Sequence, residues 1–182
     1  MKSGPIVICL CILFLFVYSC RKEENRRASG RNIREKKEML VRVNKYLVNK
    51  DVELIESYVK RRGWNMELTE SGLFYEIYEH GDGAKAVNGK MATINYTVSL
   101  LDGTVCYSSA GQGPKKFVLG HNTEESGLEQ GILMMQEGDK GRFILPPHLA
   151  HGLLGDENRI PARSIAWQRI EPAAMPSASW CA

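Results

Sequence analysis

The chain has 182 residues and a net charge of +3, from 24 basic and 21 acidic side chains. That length allows one domain of usual size with appendages. The mixed charge leaves no basic stripe of the kind that binds nucleic acid, so a nucleic-acid partner is excluded.

Lys2 precedes an apolar run from Ile6 to Val17, interrupted only by sulfur-bearing residues. The run falls short of the about 20 apolar residues that span a bilayer. A charged start, a short apolar stretch and a break read as a secretory signal over residues 1–19. The break is Val17-Tyr18-Ser19-Cys20, followed at once by Arg21-Lys22-Glu23-Glu24. It resembles a bacterial lipobox, which implies cleavage before Cys20 and lipid on its sulfur. The alternative is an uncut signal anchor, with Cys20 a bystander. Both readings put the rest of the chain outside the cytoplasm, on a membrane. Cys9 and Cys11 lie within the signal, which leaves Cys106 and Cys181, and nothing in the sequence places those two together.

Residues 20–32 are charged and polar without apolar period, which reads as a tether. Residues 33–63 carry a helical lead-in. Ile33, Leu40, Val43 and Leu47 fall on one helical face. Asn49-Lys50-Asp51 then breaks the pattern, with Asp51 as an N-cap. Leu54, Ile55, Tyr58 and Val59 make a second stripe, closed by Arg61-Arg62-Gly63. Two short helices are expected, packed on the domain or on each other, with dimerisation as the alternative.

Beyond Ser71 the period is near two. Leu73, Tyr75 and Ile77 alternate with Phe74 and Tyr78, and Met91 to Leu101 form a longer strand with Asp102-Gly103 as its turn. Val105 to Ser108, Lys116 to Leu119 and Lys140 to Leu145 are shorter strands, and Gly127 to Met135 is an amphipathic helix. The expected class is α+β, one antiparallel sheet with a single helix against its face.

An ordered set of residues runs through these elements: Gly81-Asp82-Gly83, Ile94-Asn95-Tyr96-Thr97, Leu101-Asp102-Gly103, Ser108-Ser109, Phe117-Val118-Leu119-Gly120, Gly127, Gly131, Met135, Gly138, Leu145-Pro146-Pro147-His148-Leu149-Ala150-His151-Gly152 and Ile160-Pro161. Order and spacing resemble the FKBP-type peptidyl-prolyl cis-trans isomerase domain, over residues 71–172. In particular they resemble the lipid-anchored FKBP-type proteins associated with gliding motility. The resemblance implies an FKBP-like curved sheet wrapped on one short helix. It also implies isomerisation of X-Pro bonds in unfolded or extracytoplasmic proteins at the bacterial cell envelope, assisting their folding. No cofactor or metal is implied.

Such a reaction asks little of side chains. An X-Pro amide is held planar by resonance against a barrier of about 18–20 kcal/mol. A dry apolar pocket favours the less polar twisted form, which is differential binding of a transition state. Carried over position by position, the resemblance implies Tyr96 as the pocket aromatic, Ala150 as the small loop residue and Ile160 as the loop that closes one side. The backbone N–H of Glu125 is the implied donor to the substrate carbonyl. Several positions depart from the pattern. Cys106-Tyr107 stands where the family has Phe-Asp, and Glu124-Glu125 where it has Val-Ile. Leu128 stands for the Trp that floors the pocket, His151 for a Tyr hydroxyl and Lys115 for a flanking Phe. Without gaps, Gln168 falls at a pocket aromatic's position; a shift of one residue turns Trp167 inward instead. The departures lead to an expectation of weakened catalysis, with a non-catalytic proline-peptide-binding or chaperone lipoprotein as the alternative.

His148 and His151 are three apart but lack further ligands for a metal. Ser108-Ser109 has no base partner and reads as a turn. Residues 173–182 match nothing and are either a divergent tail or the product of a disturbed reading frame.

Overall fold

The computed structural model describes the backbone of residues 4–172 and the side chains of residues 33–171. The chain divides into two compact units, residues 1–47 and 48–182.

Helix α1 runs without interruption from Gly4–Arg62. This corrects the expectation of two short helices broken at Asn49-Lys50-Asp51. Those residues have only modest helix propensity, and neither glycine nor proline occurs between Gly30 and Gly63 to break the helix. Asp51 is buried and meets Arg163 Nη2 with both carboxylate oxygens at 2.9 Å, so it does not act as a cap. The backbone of residues 20–32, read from composition as a tether, is also helical.

Within the first unit, Ile33, Leu40 and Val43 are exposed, so the first apolar stripe is not buried. Within the second, the last turns of α1 bury the expected stripe except for Leu54, with Val52 added. Ile55 and Tyr58, with Val52 and Val59, pack on Phe74, Ile144 and Ile165, whereas Leu54 faces solvent. The helix closes as the cations and glycine predict. Gly63 takes φ +66, its N–H donates to Lys60 O, and the N–H of Trp64 donates to Val59 O. These are the paired bonds of a Schellman cap.

Seven antiparallel strands follow: β1 (Glu67–Leu68), β2 (Phe74–Glu79), β3 (Met91–Leu100), β4 (Val105–Ser108), β5 (Lys115–Val118), β6 (Lys140–Leu145) and β7 (Ala166–Pro172). Their order is β1-β2-β6-β7-β3-β4, with β5 paired to the first half of β3. The α+β class and the strands from β2 to β6 match the period-two pattern. Three elements were not foreseen: the two-residue strand β1, the short helix α2 (Ser109–Gln112) and a 3-10 turn at Pro147–Leu149. Helix α3 (Ser126–Leu133) ends two residues before the expected limit.

Both faces of the sheet are covered. Leu73, Ile94, Phe143, Leu145 and Ile170 pack under Leu128 and Ile132 of α3. Phe74, Ile144 and Trp167 face the end of α1. Neighbouring strand residues thus alternate between two cores, as a two-residue period requires. Helix α3 lies close because Gly131 has no side chain; a Cβ there would meet the Phe143 ring at 2.9 Å. At Gly81 a Cβ would come within 2.2 Å of Glu137 O, which explains the glycine at the end of β2.

Candidate functional site

The candidate site is the hollow that the resemblance implies around Tyr96 of β3, on the sheet face that carries α3; Tyr96 packs half-buried against two apolar clusters at once. One is the main core, with Leu128 of α3 and Ala150 after the 3-10 turn. The other contains Val98, Cys106, Ile160 and Ala166, with Tyr107 against it. Tyr96, Cys106, Tyr107, Leu128, Ala150 and Ile160 therefore converge from β3, β4, α3 and two loops.

Each aromatic is held by its hydroxyl. Tyr96 donates to Gln112 Oε1 at 2.8 Å, and its ring lies 5.3 Å from Lys115 Nζ. Tyr107 donates to Asp156 Oδ2, and the Arg159 guanidinium sits 5.4 Å from its ring centre. Arg159 also donates to Cys106 O at 2.9 Å. Burial pushes the Cys106 thiol up from its usual range, so it stays a neutral filler of the second cluster.

Asp156 organises the loop that bears Ile160. Its Oδ1 accepts from the backbone of Asn158 and Ile160 at 3.0 and 2.7 Å. Burial pushes this carboxyl up, but the Tyr107 hydroxyl and those backbone donors outweigh it and hold the group at about 2. The loop also needs Gly155, where φ is +76 and a Cβ would lie 2.2 Å from Ile160 O. Sequence reading missed Asp156, Arg159 and Gln112. The run Gly155-Asp156-Glu157-Asn158 is a turn signature, but nothing in it tells which phenol the aspartate will meet.

The mouth of the hollow is charged. Lys115 Nζ meets Glu124 Oε2 at 2.5 Å, and His151 Nε2 meets Glu125 Oε1 at 3.1 Å. Burial pushes Lys115 down, but the bond from Glu124 and the nearby Glu125 charge hold it above its usual range. Burial likewise pushes Glu125 up, yet the His151 bond, Lys115 and its own backbone N–H hold it below the usual carboxylate range. Glu125 precedes α3 as its N-cap residue without a side-chain capping bond. Glu129, in the same helix, accepts from the backbone of Gly120 and Glu124 and so braces the loop before it.

His151 is raised, mainly by its bond to Glu125 and against burial. A raised histidine contributes stability that is complete below its ordinary pKa and lost as pH rises through its own higher value. The lowered Glu125 contributes stability present above the ordinary carboxylate value and lost as pH falls through its lower one. The pair therefore holds across the interval between them. The His151 ring proton shift, followed by NMR, is expected to titrate above the ordinary value of 6.5. Glu125→Gln is expected to bring that midpoint down. An unchanged midpoint would show that the pair does not form in solution.

β7 settles the register that the sequence left open. Gln168 pairs with Val98 of β3 and Phe143 of β6, and it is 1% exposed on the face toward the hollow. Trp167 points to the opposite face, beside Trp64 at 5.4 Å between ring centres. Pro172 is the last residue of the strand, as a proline at a ladder's end should be. His148 Nε2 donates to Ser71 O at 2.9 Å and so does not share a site with His151. Tyr96 also lines a polar depression of about 350 Å³, together with Asn95, Thr97, Ser108, Ser109, Ala110, Arg169 and Glu171; that lining offers little to an apolar ring. Cys20 lies outside the described side chains, and Cys181 and the tail 173–182 lie outside the described residues. Among the described residues, no helix is long and apolar enough to cross a membrane.

Residues 83–171 match the family model for FKBP-type peptidyl-prolyl cis-trans isomerase. The FKBP-type peptidyl-prolyl cis-trans isomerase FkpA of Aeromonas hydrophila is 36% identical over 127 residues, which are 69% of this chain and 46% of that protein. FK506-binding protein 2 of Yarrowia lipolytica is 43% identical over 94 residues, 51% of this chain and 65% of that protein. This chain thus spans about half to just under two thirds of the length of these relatives. The crystal structure of AtFKBP13 superposes with a TM-score of 0.57 at 29% identity, covering 62% of this chain and 99% of that one.

Proposed function

We propose that the chain, whose residues 83–171 match the family model for FKBP-type peptidyl-prolyl cis-trans isomerase, is a peptidyl-prolyl isomerase acting on X-Pro segments of extracytoplasmic proteins. One observation carries the reading: the side chains of Tyr96, Leu128, Ala150, Cys106 and Ile160 meet on one face of the sheet, in two apolar clusters that share Tyr96. A proline ring seated there leaves water, and its amide loses the solvation that favours the planar, more polar form. The twisted amide gains relative to the planar one without any reactive group. The half-buried Tyr96 ring and the Ile160 loop hold the occupant, and Tyr107 stays in place through Asp156.

The activity is expected to be modest. Cys106 and Leu128 fill less space than the aromatics they replace, and the mouth carries two ion pairs. The same features favour a second reading, a binding or chaperone module that grips proline segments without turning them. Refolding of a client limited by proline isomerisation discriminates the two. An isomerase shortens the slow phase, which otherwise lasts tens of seconds. A pure binder suppresses aggregation and leaves that phase unchanged.

We place the protein at the bacterial envelope through lipid on Cys20, on the strength of the lipobox-like Val17-Tyr18-Ser19-Cys20. Expressed in a Gram-negative host with labelled palmitate, the chain is expected to take up label, and Cys20→Ser to lose it. Equal labelling of the two, or none, would refute the anchor.

A further inference from the structure

Gln168 is a polar side chain built into an apolar floor. It is 1% exposed, and both its Oε1 and its Nε2 lack any hydrogen-bond partner. Its flanking residues on the same strand face are Ala166 and Ile170, both buried. Its cross-strand neighbours are Val98 and Phe143. Tyr96 pairs with Ile170, one step along that face, and so sits diagonally beside it. A buried amide left without partners is costly. Ala166, Ile170, Val98 and Phe143 are all apolar, so none of these four neighbours calls for an amide here. An amide there is a liability to the empty fold and an asset only to an occupant that satisfies it. At the mouth, Glu125 Oε2 is a further buried oxygen without a partner.

From this we infer that Gln168 is a specificity-determining residue, selecting X-Pro segments in which a side-chain carboxamide flanks the proline. A carboxamide carries a donor and an acceptor side by side, as Gln168 does, so the two can pair through both atoms. An aliphatic flanking residue leaves them unpaired, and sites with unpaired buried polar groups discriminate strongly against such ligands. The inference rests on the proposed use of the hollow for proline peptides. It requires the half-buried Tyr96 ring, diagonal to Gln168, to shift when a peptide binds, because the amide is 1% exposed.

Two tetrapeptides differing only before proline, Ala-Gln-Pro-Phe and Ala-Leu-Pro-Phe, test it with the 182-residue chain. Both the isomerisation rate and the dissociation constant are measured for each. The glutamine peptide is expected to be favoured by about tenfold, the worth of one good polar interaction. Gln168→Leu is expected to reverse the order. It should also raise the thermal midpoint, since it removes an unsatisfied amide from an apolar site. Equal handling of the two peptides, or a preference that survives Gln168→Leu, would overturn the inference while leaving isomerisation intact. A lower midpoint would overturn it too, by showing that the fold itself satisfies the amide. If neither peptide is accelerated, isomerisation fails as the function, and the ratio of dissociation constants alone decides on Gln168: a glutamine preference lost in Gln168→Leu upholds it, and no preference or no binding ends it.

Discussion

Tyr96→Ala is expected to lower the acceleration of proline isomerisation by roughly 10- to 100-fold in kcat/KM, about 1.4–2.8 kcal/mol of transition-state stabilisation. The ring is the one side chain that belongs to both clusters around the hollow. Truncating it removes the wall that excludes water from both sides of a bound ring. Tyr96 is only half-buried, so the sheet should survive, and a circular dichroism spectrum and thermal midpoint measured alongside check this. Tyr96→Phe separates the ring from its hydroxyl. That hydroxyl is engaged with Gln112 rather than aimed into the hollow, so the phenylalanine variant should keep most of the activity. Equal losses in both variants would mean that the hydroxyl acts on substrate, contrary to the geometry.

Arg163→Ala is expected to cost about 3 kcal/mol of stability, near the lower end of what breaking a buried pair removes. Asp51 is 7% exposed and its partner a third exposed by side chain, so solvent screens the pair in part. Arg163 also holds φ at +56, a conformation that costs a non-glycine residue about 1 kcal/mol. Alanine loses the pair and keeps the strain. Arg163→Gly loses the pair and relieves the strain, so it should be the milder of the two despite glycine's greater freedom when unfolded. Denaturant midpoints for the two variants read this order directly. The consequence reaches the hollow, because Arg163 lies three residues beyond Ile160 and its backbone N–H donates to Gly152 O, tying together the two ends of the loop.

Most of the sheet was legible because its strands bury both faces, and the two-residue period is strong where both sets are apolar, as at Leu73, Phe74, Tyr75 and Ile77. The helical lead-in was harder. A periodic pattern gives a face but not its partner, so Leu54 was assigned inward and is exposed. The break at residues 49–51 was read from propensity and overruled by a tertiary bond to Arg163. The hollow was legible as a set of residues through family resemblance, and the structure brings those set in the core of the domain together. The ties that fix them were not, since Tyr107 with Asp156 and Tyr96 with Gln112 join residues 49 and 16 positions apart through side chains that look like ordinary surface groups. The state of Glu125 also escaped the sequence, because its pairing with His151 depends on how the 3-10 turn faces α3.

The central claim is that an apolar hollow around Tyr96 turns prolyl amides without a reactive group. The most direct test is the relaxation of a proline tetrapeptide from cis to trans with increasing amounts of the 182-residue chain, at 10 °C where the uncatalysed process takes minutes. The account predicts a rate that climbs linearly with protein and falls back toward the uncatalysed value in Tyr96→Ala. A rate independent of protein concentration, from a chain that is folded, would contradict it.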